Sequence, residues 1–571
     1  MRTGVARLTA LVLVWPLLLA APARAHEDDG ADGTLSGAAH AREDLAGEPM
    51  SRIERDTAAA AREPAAVRTL SLVRRVAQQQ ADAVSDAPAV SGRWSAPVPL
   101  DVVPVFTAVL PSGRVLMWDS VGDGAVDDAG DSQTFTRALV LDPATNTSRR
   151  VDLQGFNIFC AGYAQLPNGD VLVAGGNKDH LFNGIEQTHL FHWRTETWSR
   201  GPDMGVARWY PAVTALANGE AVIVGGGPDV AQVYQTNRKL RYLTGFTSFA
   251  ERVYAFLVPR VDGRVEMVGP RDEMATMDTD GAGTLDATHA RDGIDRDYGS
   301  FAAYRPDKVL VTGGGDLTEG GAEHVPTRTS VVVDTSGTGT TTTTTGSMAY
   351  PRRQHNLTVL PDGSVLATGG MRRSVDHLVD LSAAVFAAER WSPTTGTWTT
   401  LASAAKVREY HSTATLLPDG RVMTGGGGIC KTCVNVGYLE KNVEYFSPPY
   451  LFAADGTAAV RPRLTKVPAT VRPGSTFSLR SPAASTIRSM ALVRLGAPTH
   501  STDAGQRYVP LSFTTSGTTV TVSAPADQKV APPGYYMLFA VNDKGVPSVA
   551  PIVRVGAPST FVVTPRPPSR R

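Results

Sequence analysis

Cys160, Tyr210, Tyr254, Tyr298 and His411 hold one phase of an internal repeat. Each lies nine residues before the tight-turn position of a hairpin signal that recurs along the middle of the chain. Pro104 and Gln354 hold the same phase in the two other copies, and His355 and Tyr410 stand one step away. Thiol, phenol and imidazole can coordinate a metal or carry redox chemistry. The phase where a structural strand would open with Val, Ser or Thr is therefore a candidate site. Tyr254 and Tyr298 also read as packing or hydrogen-bonding residues, and His355 as a satisfied channel histidine.

Cysteine usage sharpens the reading. Of three cysteines, Cys430 and Cys433 form a C-x-x-C pair, which reads as a local disulfide or as half a zinc site whose second half is not visible. Cys160 is then the odd one, and in an exported chain an odd cysteine implies a thiol, an intermolecular bridge or a bond to something other than cysteine.

The elements that must position these groups are short strands. The turns are Leu110-Pro-Ser-Gly113, Leu166-Pro-Asn-Gly169, Leu216-Ala-Asn-Gly219, Val261-Asp-Gly263, Pro306-Asp307-Lys308, Leu360-Pro-Asp-Gly363 and Leu417-Pro-Asp-Gly420. Asn-Gly and Asp-Gly favour tight turns because both residues tolerate positive φ. Several of the following strands end in Gly-Gly, and the copies are 44 to 57 residues apart. A period near 50 with one such hairpin per copy predicts an all-β chain with a seven-bladed kelch-type β-propeller over residues 91–455. The tract Thr340 to Thr345 reads as an insertion in an inter-strand loop. Short strands with Pro/Gly turns over 460–571 predict a separate immunoglobulin-like β-sandwich. In a propeller the equivalent positions ring one axis, which would gather the unusual phase into one place.

The first residues read as an export signal: Arg2 and Arg7, an apolar run from Leu8 to Ala21, then Ala23-Arg24-Ala25. Cleavage would remove 1–25 and leave a secreted or extracytoplasmic protein without a transmembrane segment. Residues 26–90 are polar and Ala/Arg-rich, and read as a partly helical or disordered segment that packs loosely. Lys+Arg and Asp+Glu are both 55, so the formal net charge is zero, which argues against nucleic acid as a partner. Asn146-Thr-Ser148 and Asn356-Leu-Thr358 are glycosylation sequons.

Four local motifs carry a family resemblance over about 480 residues: Phe159-Cys160-Ala161-Gly162, Arg208-Trp209-Tyr210, Glu409-Tyr410-His411-Ser412, and Thr499-His500-Ser501 followed by Gln506-Arg507. In these the chain resembles the copper-radical oxidases, galactose oxidase and the glyoxal oxidases, and the motifs look closer to the glyoxal oxidases. The resemblance implies one copper per chain, held by Tyr210, Tyr410, His411 and His500. It implies a Cys160–Tyr210 thioether as a protein-derived radical cofactor, Tyr210 as the equatorial radical ligand, Tyr410 as axial ligand and base, and His500 arriving from the C-terminal domain. Galactose oxidase has a Trp just after the Gly-Gly of the crosslinked tyrosine's blade. Here Gly225-Gly226 is followed by Gly227-Pro228-Asp229, so the cover over the ring is absent or comes from elsewhere.

Two-electron oxidation of a primary alcohol or an aldehyde hydrate needs a second electron acceptor beside Cu(II), and a sulfur-substituted phenol supplies one. No G-x-G-x-x-G opens a helix after a strand, so a nicotinamide or flavin fold is not indicated. The expected activity is oxidation of small aldehydes or primary alcohols with O₂ reduced to hydrogen peroxide, by a monomer. The alternatives are a galactose-oxidase-like sugar alcohol oxidase and a non-catalytic kelch propeller that binds carbohydrate or protein.

Overall fold

The computed structural model describes residues 64–125, 133–227, 230–246, 254–286, 289–315, 323–337, 339–375 and 379–556. The expected export signal at 1–25 and the stretch 26–63 lie outside the described residues. No helix among the described residues is long and apolar enough to cross a membrane.

Seven antiparallel sheets, each built on a path of four strands, follow one another from residue 106 to residue 447. Their first strands are Phe106–Val109, Gly162–Gln165, Ala212–Ala215, Leu257–Pro259, Ser300–Arg305, Arg353–Val359 and Ser412–Leu416. These strands are almost wholly buried. The seventh sheet takes its outermost strand from the other end of the chain: Arg93 pairs with Ser447 and Trp94 with Phe446. The Asn-Gly and Asp-Gly turns form as expected, with Gly169 at φ 88° and Gly363 at φ 81°.

A buried arginine joins successive sheets. Arg208, Arg296, Arg352 and Arg408 precede the first strands of the third, fifth, sixth and seventh sheets. Each guanidinium donates to a Gly carbonyl at or near the end of the second strand of its own sheet: Gly225 at 2.6 Å, Gly313 at 2.9 Å, Gly369 at 2.7 Å and Gly426 at 2.9 Å. The backbone carbonyl of the same arginine accepts from the preceding sheet: Gly176 N–H donates to Arg208, Gly314 N–H to Arg352 and Gly370 N–H to Arg408. A charge buried in this way is stable only when its donors are met. Arg352 also pairs with Glu389 at 2.8 Å and Arg408 with Glu444 at 3.0 Å. The Gly-Gly signal follows from the close approach. A Cβ on Gly369 would lie 2.4 Å from the Arg408 carbonyl oxygen, and one on Gly426 would lie 2.4 Å from that of Pro104. The second contact brings the seventh sheet against the first.

Two expectations are corrected and one is sharpened. The threonine tract is no loop: Thr341–Thr345 is the outermost strand of the fifth sheet, paired with Ser330–Asp334. An edge strand exposed on its far side can be wholly polar and still satisfy its ladder. The segment before 90, read as partly helical or disordered, is helical where it is described and is anchored through a buried side chain. A helix, Pro64–Asp82, buries Gln80, whose amide accepts from Phe386 N–H (2.8 Å) and Ala387 N–H (3.0 Å) and donates to Ala384 O (3.1 Å). The Asn356 sequon is 3% exposed, and its amide donates to Ser412, so the folded chain does not present it.

Beyond the seven sheets, a five-stranded sheet that includes Ile487–Arg494 and Gly534–Asn542 faces a three-stranded sheet that includes Thr476–Arg480 and Thr519–Ser523. Leu479, Leu492, Val520, Val522, Tyr536 and Leu538 fill the core between them.

Gly369→Ala should lower stability by ~2 kcal/mol or more, because left-handed backbone (φ 69°) and a carbonyl clash coincide there. Gly437→Ala, at φ 70° with open space around it, should cost about 1 kcal/mol. Thermal unfolding of the two variants checks the difference, and equal shifts would discount the inter-sheet contact.

Candidate metal and radical centre

The repeat phase picked out by the sequence has a common backbone signature. Cys160 (φ 63°), Tyr210 (61°), Tyr254 (41°), Tyr298 (52°), Gln354 (58°) and His411 (65°) are all left-handed. Non-glycine residues rarely adopt this conformation. It is held by hydrogen bonds between neighbours: Tyr210 N–H donates to Cys160 O (2.8 Å), Tyr254 N–H to Tyr210 O (3.0 Å) and Gln354 N–H to Tyr298 O (2.7 Å). The first copy carries Pro104, whose ring fixes φ negative. Its carbonyl accepts instead from the Thr413 hydroxyl.

The C-terminal unit closes over these strands with the loop 496–507. Val109 N–H donates to Gly496 O, and Tyr163 Oη donates to Pro498 O at 2.6 Å. The Thr214 hydroxyl donates to Ala504 O, the Ser300 hydroxyl to Ser501 O, and the Gln506 amide to Leu357 O. Arg507, fully buried, donates to Pro259 O and Pro306 O, both at 2.8 Å. Inside the loop, Asp503 accepts from Ala497 N–H at 3.0 Å and Gly505 N–H at 3.1 Å. Burial raises its carboxyl to about 7.

Four of the expected ligands meet. Tyr210 Oη lies 2.6 Å from Tyr410 Oη and 3.2 Å from His500 Nε2. The Tyr410 and His411 rings stack at 3.7 Å, and the His411 and His500 rings lie 4.5 Å apart. Exposure is 1% for both tyrosines, 2% for His411 and 4% for His500. The tautomers follow from the partners. His411 Nδ1–H donates to Gly428 O at 2.6 Å, which leaves Nε2 with a lone pair. The Thr499 hydroxyl spends its proton on Val105 O and so accepts from His500 Nδ1–H at 2.6 Å. His500 Nε2 is therefore a lone-pair donor too. Burial pulls the His411 imidazole down to about 3, so it stays neutral. Its Nε2 is buried without a hydrogen-bond partner.

Such an orphaned atom beside two phenol oxygens and a second imidazole nitrogen fits a cation, and N,O donor sets of this kind suit Cu(II). Cys160 is fully buried, and its carbonyl accepts the hydrogen bond from Tyr210 N–H. The Sγ atoms of Cys430 and Cys433 are 2.05 Å apart, as a local disulfide requires. This pair begins two residues beyond the carbonyl that orients His411.

Sequence reasoning missed the cover over Tyr210. The residue next to it supplies one: the Trp209 ring stacks on Tyr210 with centroids 3.6 Å apart and planes at 19°. Phe182 packs edge-on against Trp209. Sequence reasoning also missed the buried arginines. Their recurrence two or three residues before Tyr210, Tyr298, Gln354 and His411 was the available signal.

Residues 461–555 match the family model described as galactose oxidase-like, Early set domain. The chain is 31% identical over 494 residues to a galactose oxidase of Gibberella zeae, covering 81% of this chain and 70% of that protein. It is 27% identical to the aldehyde oxidase GLOX of Vitis pseudoreticulata, covering 82% and 97%. Among solved structures, it resembles a fungal alcohol oxidase of the AA5 family in complex with copper, with a TM-score of 0.74, 27% identity, and coverage of 82% of this chain and 100% of that one.

Asp503→Asn tests the electrostatics of the loop. A carboxyl raised from 3.8 to about 7 holds a proton that the unfolded chain releases, so stability falls as pH rises from about 4 through 7. Thermal midpoints across that range should show the parent losing stability relative to the variant. Parallel curves would contradict the assignment.

Proposed function

Because the chain belongs to the copper-radical oxidase family, an enzyme class that reduces O₂ to hydrogen peroxide, we propose that it is a secreted oxidase of small aldehydes or primary alcohols using a Tyr210–Cys160 thioether. The observation that carries this is the convergence of Tyr210 Oη, Tyr410 Oη and His500 Nε2 within 3.2 Å steps, beside the orphaned Nε2 of His411. The succession of seven sheets, with the seventh closed by residue 93–99 strands, supports a seven-bladed kelch-type propeller over 91–455. The two facing sheets at 470–555 support an immunoglobulin-like sandwich over 460–571. Secretion rests on the sequence of residues 1–25.

Tyr210, Tyr410, His411 and His500 would hold the copper. Copper bound there would accept one electron, acidify the substrate's oxygen and deliver electrons to O₂. Tyr410 Oη takes the proton of the substrate hydroxyl as general base. Sulfur joined to the Tyr210 ring would make it easier to oxidise by one electron, and Tyr210 would then take the carbon-bound hydrogen. The two electrons and two protons lost by the alcohol or aldehyde hydrate appear in hydrogen peroxide. Trp209 shields the Tyr210 ring from water. His411 and His500 are pre-oriented through their Nδ1–H bonds, so little reorganisation is needed.

A small cavity of about 30 Å³ borders Tyr210 and His500, walled by Tyr254, Phe256, Pro270, Asp297, Tyr298 and Thr502. The identity to a galactose oxidase favours the second reading, oxidation of a sugar primary alcohol.

Mass spectrometry of copper-treated protein should find the Cys160 and Tyr210 peptides joined and lighter by two hydrogens. Separate peptides would remove the radical cofactor. A peroxide-coupled panel of methylglyoxal, glycolaldehyde, glycerol and galactose separates the two substrate readings. Tyr410→Phe should keep the crosslink but lose roughly 10²–10⁴-fold in turnover, as expected for a general base.

A further inference from the structure

We propose that Gln354 is a specificity-determining residue whose side-chain amide holds a second oxygen of the substrate, on the carbon next to the one oxidised. The proposal rests on the oxidase reading above. Gln354 is 2% exposed, yet both its Oε1 and its Nε2 are buried without a hydrogen-bond partner. A buried amide with both ends unmet is uncommon enough to need a cause.

Its place supplies one. Gln354 stands at the same phase and in the same left-handed conformation as Tyr298 on one side and His411 on the other, and its N–H is fixed to Tyr298 O. Equivalent backbone at equivalent phase sets the Cα–Cβ bond of Gln354 in the direction it takes at Tyr298 and His411. The strand Arg353–Val359 packs against Ser300–Arg305 of the fifth sheet on one side and Ser412–Leu416 of the seventh on the other, so Gln354 stands between Tyr298, a wall of the small cavity, and Tyr410, the phenol proposed as base, whose rings meet edge to face at 5.8 Å. Arg353, 4% exposed, lies with its guanidinium 5.1 Å from the Tyr298 ring centre. A positive charge thus borders the same wall and favours an electron-rich oxygen there.

An amide offers one acceptor and two donor hydrogens. A hydroxyl, which donates and accepts, answers both unmet ends of Gln354, whereas a methyl group answers neither. A site built in this way discriminates strongly against the analogue that lacks the oxygen, because the buried polar group is then left unpaired.

The test compares glycolaldehyde with acetaldehyde in the copper-loaded enzyme and in Gln354→Leu. The ratio of kcat/KM for the two substrates should fall at least tenfold in the variant, with the loss in KM for glycolaldehyde. Gln354→Asn, which keeps the amide but withdraws it by one methylene, should be intermediate. A second arm uses the metal-free protein and follows Trp209 fluorescence while ethylene glycol is titrated. Its Kd should weaken at least tenfold in Gln354→Leu, with ethanol as the reference ligand. An unchanged ratio together with an unchanged Kd would overturn the proposal and leave the amide as a group satisfied by water. Equal losses on both aldehydes with no change in Kd would overturn it as well. If the parent enzyme oxidises neither aldehyde, the oxidase reading fails, while the binding arm still decides the role of Gln354.

Discussion

The structure depends on a turn of backbone that side chains resist. Six non-glycine residues, Cys160, Tyr210, Tyr254, Tyr298, Gln354 and His411, enter their strands in the left-handed region, at a cost of roughly 1–3 kcal/mol each. The conformation persists because it passes N–H and carbonyl groups from one sheet to the next, as between Tyr210 and Cys160 and between Tyr254 and Tyr210. Strain of this kind collects where structure must over-determine a side chain's direction. Here it aims a thiol, three phenols, an amide and an imidazole at one phase of the fold.

The arginines explain how that strain is held. Arg208, Arg352 and Arg408 each tie their own sheet through the guanidinium and the preceding sheet through the carbonyl. Lysine could not replace them, since a single ammonium lacks the planar fork that meets two or three acceptors at once. The glycine pairs give the room for this contact. The loop 496–507 then bonds to strands of six sheets and delivers His500 with its Nε2 toward Tyr210. Stability and chemistry are therefore coupled: the loop that closes the fold also completes the donor set.

Much of this was legible in the residues. The Asn-Gly and Asp-Gly turns set the repeat because turn chemistry is local, and counting back from them found the left-handed phase without any knowledge of φ. The four motifs gave Cys160, Tyr210, Tyr410, His411 and His500, four of which meet within hydrogen-bonding or ring-contact distance. The threonine tract misled because low complexity suggests a loop, whereas an edge strand needs only a paired backbone. Trp209 was in plain view beside Tyr210 but was passed over, because neighbours in a strand point to opposite faces, and only the left-handed turn at Tyr210 brings the two rings together.

By itself the sequence determined the period, the strand and turn chemistry, and the residue types at the critical phase, all of which are properties of a few consecutive residues. Tertiary structure alone decided that Arg93–Trp94 closes the seventh sheet against Phe446–Ser447, that Gly426 meets Pro104, and that His500 reaches Tyr210 across 290 residues of chain. These are contacts between distant segments. They are fixed by how the sheets pack against one another, and no local pattern of side chains encodes that fit.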